Sequence, residues 1–228
     1  MEIKHLFFDL DHTLWDFDKN SELCFQQIFE EQSVEVSVKE FLKEYIPINL
    51  AYWKLFREEK IGKESLRYRR LKDTFDALKY EITDALINKI AEDYITYLPN
   101  NNYLLDGTLE VLEYLNKKYQ LHIITNGFKN VQHVKLSKSN IKKYFNVIVT
   151  SECVGVKKPN AKIFEYALAQ AKAKPEASVM IGDSYEADVL GALTMGMQAV
   201  FFNIYNEDVK KAEKTITISS LLELKQYF

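Results

Sequence analysis

Short apolar runs alternate with amphipathic segments over most of this chain. The first run lies within residues 1–14 and predicts a strand followed by a turn. Further on, the spacing of apolar positions predicts helices at 106–119, 129–140, 160–172 and 186–195, separated by strand-like runs at 121–124, 147–149, 179–181 and 199–202. Strands that alternate with helices of about ten or more residues favour βαβ units and a parallel sheet. Such strands are buried on both faces, which fits their continuous apolar composition.

Residues 16–98 follow a different pattern, because apolar residues recur at helical spacing and no strand signal interrupts them. Pro47 and Gly62 punctuate this region, and the residues suited to helix N-caps are Asp18 or Ser21 and, further on, Thr83. The first strand belongs to the same sheet as the later ones, so residues 16–98 form an insertion. We therefore expect an α/β core built from 1–15 and 99–228, with an all-helical domain inserted after the first strand.

Two aspartates, Asp9 and Asp11, follow directly on the first apolar run. In an extended chain alternate side chains point the same way, so both carboxylates can reach one spot beyond the end of the strand. Carboxylates held this close repel each other and raise each other's pKa unless a cation or a shared proton intervenes. The pair therefore indicates a metal site, an acid–base site, or both.

Polar residues also follow the later strands, at the edge of the sheet where ligands of parallel α/β folds bind. They are Thr125, Asn126 and Gly127 after the second strand, Gly182, Asp183 and Ser184 after the fourth, Asp188 one turn later, and Lys158 in a loop before a helix. Taken singly, each segment is also typical of a plain turn, a lysine before a helix, or a helix cap. An EF-hand calcium loop is excluded, because its required Gly and Glu positions hold Leu14 and Asn20. Their joint occurrence, in order, favours a catalytic site.

The order of these residues resembles the four motifs of the haloacid dehalogenase-like (HAD) hydrolase superfamily. The matching segments are Asp9-Leu-Asp11-x-Thr13, Thr125-Asn126, Lys158-Pro159 and Gly182-Asp183-Ser184-x-x-x-Asp188. Residues 124–128 and 151–160 further resemble the bacterial branch known as noncanonical pyrimidine 5′-nucleotidases. The resemblance implies a Rossmann-like parallel sheet flanked by helices, with the insertion at 16–98 in the position of the superfamily's all-helical cap domain.

The resemblance also implies phosphoryl transfer through a covalent aspartyl-phosphate, with Asp9 as the nucleophile. A carboxylate that attacks a phosphate dianion needs positive charge beside it, and Mg²⁺ suits an all-oxygen site. The expected metal ligands are the side chains of Asp9 and Asp183 and, by resemblance, the backbone carbonyl of Asp11. Lys158 is expected to contact Asp9 and a phosphate oxygen. The other phosphate oxygens are expected to bind Thr125 and the amides of Asn126 and Gly127, with Ser184 and Asp188 in supporting roles.

Two roles stay open for Asp188. Its carboxylate either orients Lys158 or a metal-bound water, or it is an acid at a helix N-terminus, where the helix dipole favours negative charge.

Asp11 separates the enzyme classes that this resemblance covers. As general acid it would protonate the leaving oxygen, and as general base it would activate water against the aspartyl-phosphate. The dehalogenases that give the superfamily its name lack an acid at this position, since carbon–halogen cleavage needs no protonated leaving group. We therefore expect a phosphatase, in particular a nucleoside 5′-monophosphate phosphatase that prefers pyrimidines. The alternatives are a phosphomutase of the β-phosphoglucomutase type, a 2-haloacid dehalogenase and a catalytically silent binding domain.

Substrate choice is expected to come from the helical cap, which would close over the site and contact the leaving group. Trp15 and Phe17, which closely follow Asp9 and Asp11 in the sequence, are the expected stacking surfaces for a base. Other aromatic residues of the insertion are interpreted as the core of the cap itself: Tyr52, Trp53, Phe56, Tyr68 and Phe75. The basic cluster of Arg67, Arg69, Arg70 and Lys72 is interpreted as a solvated helix face.

The composition of the chain limits which partners and which cellular compartment we expect for the protein. The net charge of -3 argues against nucleic acid polymers, because proteins that bind the phosphate backbone are usually basic. The two cysteines, Cys24 and Cys153, are expected to be reduced and mostly buried. No signal-peptide pattern is visible, and no apolar stretch approaches the ~20 residues that span a bilayer. We therefore expect a soluble cytoplasmic enzyme, monomeric or homodimeric, that acts on a small phosphomonoester.

Overall fold

The computed structural model describes residues 2–209 and 212–228. Met1, Lys210 and Lys211, which fall within segments predicted for the core, lie outside the described residues. The chain forms two compact units, one comprising the chain up to Phe17 together with Asn102–Phe228, the other Asp18–Asn101. The division predicted from the sequence lies two or three residues from these limits, and the independence of the two units as domains stays a prediction.

The first unit is built on a six-stranded sheet in which every strand pair is parallel. Its strands are β1 (His5–Phe8), β2 (Gln120–Thr125), β3 (Phe145–Thr150), β4 (Ser178–Gly182), β5 (Gln198–Phe202) and β6 (Thr215–Ile218). Their order across the sheet is β3-β2-β1-β4-β5-β6. The α/β fold class with a parallel sheet is therefore confirmed, and β6 is an edge strand that the sequence pattern did not predict.

The first strand, β1, lies in the middle of the sheet. All four of its residues are buried, and Phe8 is in register with Ile123 of β2 on one side and Ile181 of β4 on the other. A strand with neighbours on both edges and covered faces is expected to be mostly apolar, and β1 holds one polar residue, His5. The central position of β1 explains why the residues that follow it reach the centre of the ligand-binding edge.

Helices and short helical turns connect the strands of the first unit. They are α5 (Thr108–Leu115), α6 (Lys129–Lys138), α7 (Ser151–Val154), α8 (Ala161–Ala171), a π-helical turn (Tyr185–Leu190), α9 (Gly191–Thr194) and α10 (Leu224–Tyr227), with 3-10 turns at Lys142–Tyr144, Pro175–Ala177 and Leu221–Glu223. One face of the sheet packs on α8, where Phe7, Met180 and Phe164 share a fully buried cluster. The helix predicted at 186–195 is thus two pieces, and it starts from the Ser184 side chain, which accepts a hydrogen bond from the Ala187 N–H at 3.2 Å.

The second unit is entirely helical, as predicted. It holds α1 (Phe17–Glu31, whose first residue belongs to the other unit), α2 (Val38–Arg57), α3 (Lys63–Ala77), α4 (Asp84–Tyr97) and a 3-10 turn (Leu98–Asn100). Thr83 caps α4 as predicted, because its hydroxyl accepts from the Leu86 N–H. The N-cap prediction for α1 is wrong: the helix starts at Phe17, so Asp18 lies in its first turn and Ser21 is buried against Tyr94.

Pro47 does not break the helical unit where the sequence pattern suggested. It lies inside α2, a helix of 20 residues. Phe41, Tyr45 and Asn49 recur every four residues on the buried face, whereas Pro47 and Lys43 lie on the exposed face. The carbonyl that loses its partner to a proline belongs to the residue four positions earlier, here Lys43. Since this position is exposed, water can take over the lost hydrogen bond and the helix continues.

Arg70 corrects the interpretation of the basic cluster as a solvated face. It is 2% exposed and lies among the aromatic residues of the helical unit. Its guanidinium donates to Asn49 Oδ1 at 2.9 Å and lies 5.0 Å from the centre of the Tyr94 ring and 5.8 Å from that of Tyr45. Within the described residues no carboxylate forms an ion pair with it. The helix α3 thus turns one of the four basic residues of this cluster inward.

Two further expectations concern compartment. Over the described part of the chain, no helix combines the length and the apolar character needed to cross a bilayer. Cys24 and Cys153 form no disulfide; Cys24 is buried as expected, whereas Cys153 is exposed.

Candidate active site

Asp9 leaves the end of β1 opposite a buried lysine. Lys158 Nζ lies 2.7 Å from Asp9 Oδ1 and 2.6 Å from Asp188 Oδ1, and it also donates to the carbonyl of Ile124 at 2.7 Å. The lysine is 2% exposed, so its charge is balanced almost entirely by these carboxylates. The structure therefore brings together Asp9, Lys158 and Asp188, which come from three distant parts of the sequence.

The carboxylates of this cluster carry more negative charge than Lys158 alone balances. Burial raises the pKa of Asp9 to about 7; the Lys158 ammonium opposes the shift, and the Asp188 charge adds to it. Burial, together with the charges of Asp9 and Asp188, raises the pKa of Asp183 well above its usual range. Burial works to lower the pKa of Lys158, but Asp188 and Asp9 hold it above its ordinary value. A site with these properties favours an additional cation.

Asp183 is held by the turn that follows the first strand. Residues 10–15 fold back on themselves, with His12 in the left-handed backbone region at φ 59°. The turn points the buried Thr13 at the fourth strand end. The hydroxyl of Thr13 donates to Asp183 Oδ1 at 3.0 Å and accepts from the Asp183 N–H at 3.1 Å. Thr13 thus fixes the orientation of Asp183, a role that the sequence did not indicate.

Gly182 allows Asp188 to fold back against the end of β4. A Cβ atom at Gly182 would lie 2.2 Å from Asp188 Oδ2, so a larger residue would displace the carboxylate. The same oxygen accepts from the Ser184 N–H at 3.0 Å. One carboxylate oxygen of each of Asp9, Asp183 and Asp188 lies within 4.8 Å of the others, which makes these three a candidate metal-ligand set among the described residues.

Asp11 is the second carboxylate of the pair that follows β1, and its side chain has different partners. Lys135 Nζ donates to Asp11 Oδ1 at 2.6 Å, and Gln132 Nε2 donates to Asp11 Oδ2 at 3.0 Å. Both oxygens of the carboxylate are therefore held by side chains of α6. The side chain of Asp11 lies outside the three-aspartate cluster, so the two aspartates of the pair occupy chemically different surroundings.

The residues predicted to bind phosphate lie at the end of β2. Thr125 Oγ1 accepts from Gln132 Nε2 at 2.8 Å and from the Gly127 N–H at 3.2 Å, which leaves its own O–H to donate. The side chain of Asn126 bonds to the backbone N–H and carbonyl of Lys158 at 2.7 and 3.1 Å. This side chain therefore holds the loop that carries Lys158.

The two aromatic residues predicted to stack on a base differ in exposure. Trp15 is fully buried, and Lys135 Nζ lies 3.9 Å from the centre of its ring. A substrate could reach the Trp15 ring only after a rearrangement. Phe17 is half-buried and lies 4.8 Å from His12, measured between ring centres. His12 in turn contacts Tyr205, whose hydroxyl lies 2.8 Å from His12 Nδ1.

Sequence reasoning missed Gln132 and Lys135, although the sequence carries a signal for them. The buried residues of α6 are Val131, Gln132, Lys135 and Leu136, spaced as one face of a helix. Polar residues at positions that a helix buries need partners. A search for such positions beside the second motif would have found both residues.

Comparison with known proteins agrees with this geometry. The model of the family described as "Haloacid dehalogenase-like hydrolase" matches residues 6–202, and the chain belongs to this family. The predicted resemblance is thereby confirmed.

Two curated relatives match over nearly the full length. The chain is 35% identical to "Pyrimidine 5'-nucleotidase YjjG" of Escherichia coli (97% of this chain, 96% of the relative) and 32% identical to "Pyrimidine 5'-nucleotidase PynA" of Streptococcus pneumoniae (98% and 94%). Among solved structures, the magnesium-bound putative HAD-hydrolase YfnB of Bacillus subtilis superposes with a TM-score of 0.89 at 26% identity, covering 100% of this chain and 99% of that one.

Proposed function

We propose that this hydrolase is a Mg²⁺-dependent phosphatase that releases phosphate from nucleoside 5′-monophosphates, with a preference for pyrimidines, through an aspartyl-phosphate on Asp9. The observation that carries the proposal is the division of the aspartate pair. Asp9 faces a buried ammonium and two further carboxylates, whereas Asp11 is held apart by α6. A nucleophile and a separate proton carrier are what hydrolysis through a covalent phosphoenzyme requires.

The reaction would proceed in two displacements. Asp9 attacks phosphorus, the bond from phosphorus to the leaving oxygen breaks, and the proton of the Asp11 carboxyl passes to that oxygen. Water then attacks the phosphorus of the aspartyl-phosphate, Asp11 takes a proton from it, and Asp9 is released as a carboxylate with inorganic phosphate. Lys158 and the Thr125 hydroxyl would stabilise the charge on the phosphoryl oxygens.

Magnesium fits the residues that surround Asp9. Asp9 and Asp183 would hold it, together with the backbone carbonyl of Asp11, while Asp188 is already engaged by Lys158 and the Ser184 N–H. When bound, the cation would neutralise phosphate charge and let Asp9 act as a carboxylate. The raised pKa of Asp9 and Asp183 supports the fit, because a cation relieves that excess of negative charge.

The proposed substrate rests on the two curated relatives and on one group of side chains in the first unit. Both curated relatives reported above are pyrimidine 5′-nucleotidases by name. Beside the turn at 10–15, Phe17, His12 and Tyr205 form an aromatic group that includes an exposed ring. Aromatic faces are suited to stacking on a nucleobase. We expect this group, rather than the buried Trp15, to contact the leaving nucleoside.

A panel of phosphomonoesters tests the activity. We expect phosphate release from UMP, CMP and dTMP to exceed release from AMP, GMP and hexose or triose phosphates, and EDTA to abolish it until Mg²⁺ is restored. Absence of release from every nucleotide would overturn the substrate assignment. Full turnover in EDTA would overturn the metal requirement, and isomerisation of a hexose phosphate without net phosphate release would indicate a mutase.

An Asp9→Asn variant tests the covalent step. We expect the variant to fold and to bind nucleotide but to lose turnover. In wild type quenched with acid, we expect covalently bound phosphate that hydroxylamine releases. Asp106→Asn, an exposed acid in the same unit, is the matched control and should keep full activity. Normal turnover by Asp9→Asn would remove Asp9 as the nucleophile.

A further inference from the structure

Two buried polar residues on one helix contact the proton carrier of the proposed reaction. Gln132 and Lys135 are each 1% exposed and lie three positions apart on α6. The Lys135 ammonium pairs with Asp11 Oδ1 at 2.6 Å, and it lies over the ring faces of Trp15 and Phe17, at 3.9 and 5.2 Å from their centres. Lys135 and Lys158 are the two lysines that are buried in the described part of the chain.

Folding alone gives no reason for a lysine at this position. A buried ion pair loses the hydration of both charges, and apolar residues of similar size are often at least as stabilising in its place. A leucine or methionine at position 135 would continue the apolar face of α6 against the aromatic rings. The ammonium is therefore retained for what it does to Asp11.

Gln132 completes the grip on the carboxylate. Its Nε2 donates one hydrogen to Asp11 Oδ2 at 3.0 Å and the other to Thr125 Oγ1 at 2.8 Å, so it ties the proton carrier to the phosphate-binding hydroxyl. Gly127 makes room for it, because a Cβ atom there would lie 2.4 Å from both Cδ and Nε2 of Gln132. With one donor on each oxygen, the Asp11 side chain cannot rotate without losing a contact.

We infer that Lys135 and Gln132 are positioning residues for Asp11: they fix its carboxyl group in the one orientation from which it reaches the leaving oxygen. The inference rests on the proposed function, in which Asp11 gives its proton to that oxygen as the bond to phosphorus breaks. A displaced acid would fail mainly with leaving groups that must be protonated. Alkoxides such as the 5′-oxygen of a nucleoside need the proton, whereas p-nitrophenolate departs without it.

Lys135→Met tests this through the leaving group. We expect its kcat/KM for UMP to fall by about 10–100-fold, a part of what general acid catalysis contributes, and its kcat/KM for p-nitrophenyl phosphate to fall by less than about 3-fold. Lys138→Met removes an exposed lysine from the same helix and is the matched control, expected to leave both values unchanged. Gln132→Met should shift the ratio of the two values in the same direction.

The outcomes separate the two levels of the proposal. Equal losses on both substrates, or no loss on either, in variants that melt and bind Mg²⁺ like wild type would overturn the positioning role. If Lys135→Met fails to fold, the ratio measured for Gln132→Met decides: an unchanged ratio overturns the inference and a shifted one supports it. Wild type that hydrolyses neither substrate would overturn the proposed function itself, and this inference with it.

Discussion

Replacing Asp9 by asparagine is expected to alter folding stability in a pH-dependent way when no metal is bound. Burial raises the pKa of the Asp9 carboxyl from 3.8 to about 7, so the folded chain keeps this proton over a range where the unfolded chain has lost it. Such a group contributes stability that is fully present below the unfolded-state pKa and is lost as the pH rises through the folded-state value. Asparagine has no proton to lose, so Asp9→Asn should gain stability relative to wild type as the pH rises.

The size of this gain follows from the shift in pKa. A difference of one in pKa corresponds to about 1.4 kcal/mol of folding free energy. The rise in the pKa of Asp9 from 3.8 to about 7 therefore corresponds to about 4 kcal/mol once the carboxyl is fully ionised. Between about pH 4.5 and about pH 8, the stability difference between variant and wild type should change by about 3 kcal/mol. That is a large share of the roughly 5–15 kcal/mol that stabilises a typical domain.

Urea denaturation of both proteins in EDTA at these two pH values measures the difference. Asp106→Asn, in which an exposed acid is replaced, should show no comparable change. Saturating Mg²⁺ should reduce the gain, because the cation binds the wild-type carboxylate more tightly than the neutral amide. A stability difference that is the same at both pH values, or that favours wild type at the higher one, would refute the claim that burial raises the pKa of Asp9.

Three further predictions concern other parts of the chain. Arg70→Met should lower the free energy of unfolding by less than about 1 kcal/mol, or should raise it, as urea denaturation can measure. The reason is that the buried guanidinium has no carboxylate partner among the described residues. Gly182→Ala should displace Asp188, lowering kcat and costing about 1–3 kcal/mol of stability, whereas Gly62→Ala, which meets no atom within 4 Å, should do neither. Burial lowers the pKa of His122 to about 4, so wild type should lose up to about 3 kcal/mol relative to His122→Leu as the pH falls from 6.5 towards 4, measured by thermal denaturation.

The parallel sheet could be predicted because short apolar runs alternate with helical segments of about ten or more residues. Residues 5–8 and 179–181 are buried on both faces. A mostly apolar run this short, bounded by turn residues, is typical of a buried strand rather than of a helix. The edge strand β6 was not predicted, although its four residues alternate threonine and isoleucine, which is typical of a half-buried strand. The signal is only four residues long, and the structure establishes the strand by its pairing with β5.

The site divides along a similar line. Asp9, Lys158 and Asp183 follow strands or precede a helix, where topology alone brings side chains together. Lys135 and Gln132 lie on a helix, where polar residues are usually exposed. What buries Lys135 is its pairing with Asp11, 124 positions away, and its contact with Trp15. Contacts of this kind depend on the packed structure, and no local pattern specifies the partner.

The central position of β1 has a consequence for how the chain is made. This strand is synthesised first, yet both of its neighbours come much later, β2 ending at Thr125 and β4 at Gly182. At translation rates of about 5–20 residues per second, β1 waits roughly 10–30 seconds before its second neighbour exists. During that interval the helical segment, whose contacts are contiguous in sequence, can already fold. Asp9 can meet Lys158 and Asp183 only after β4 has been synthesised, so the candidate site forms later than the helical segment can fold.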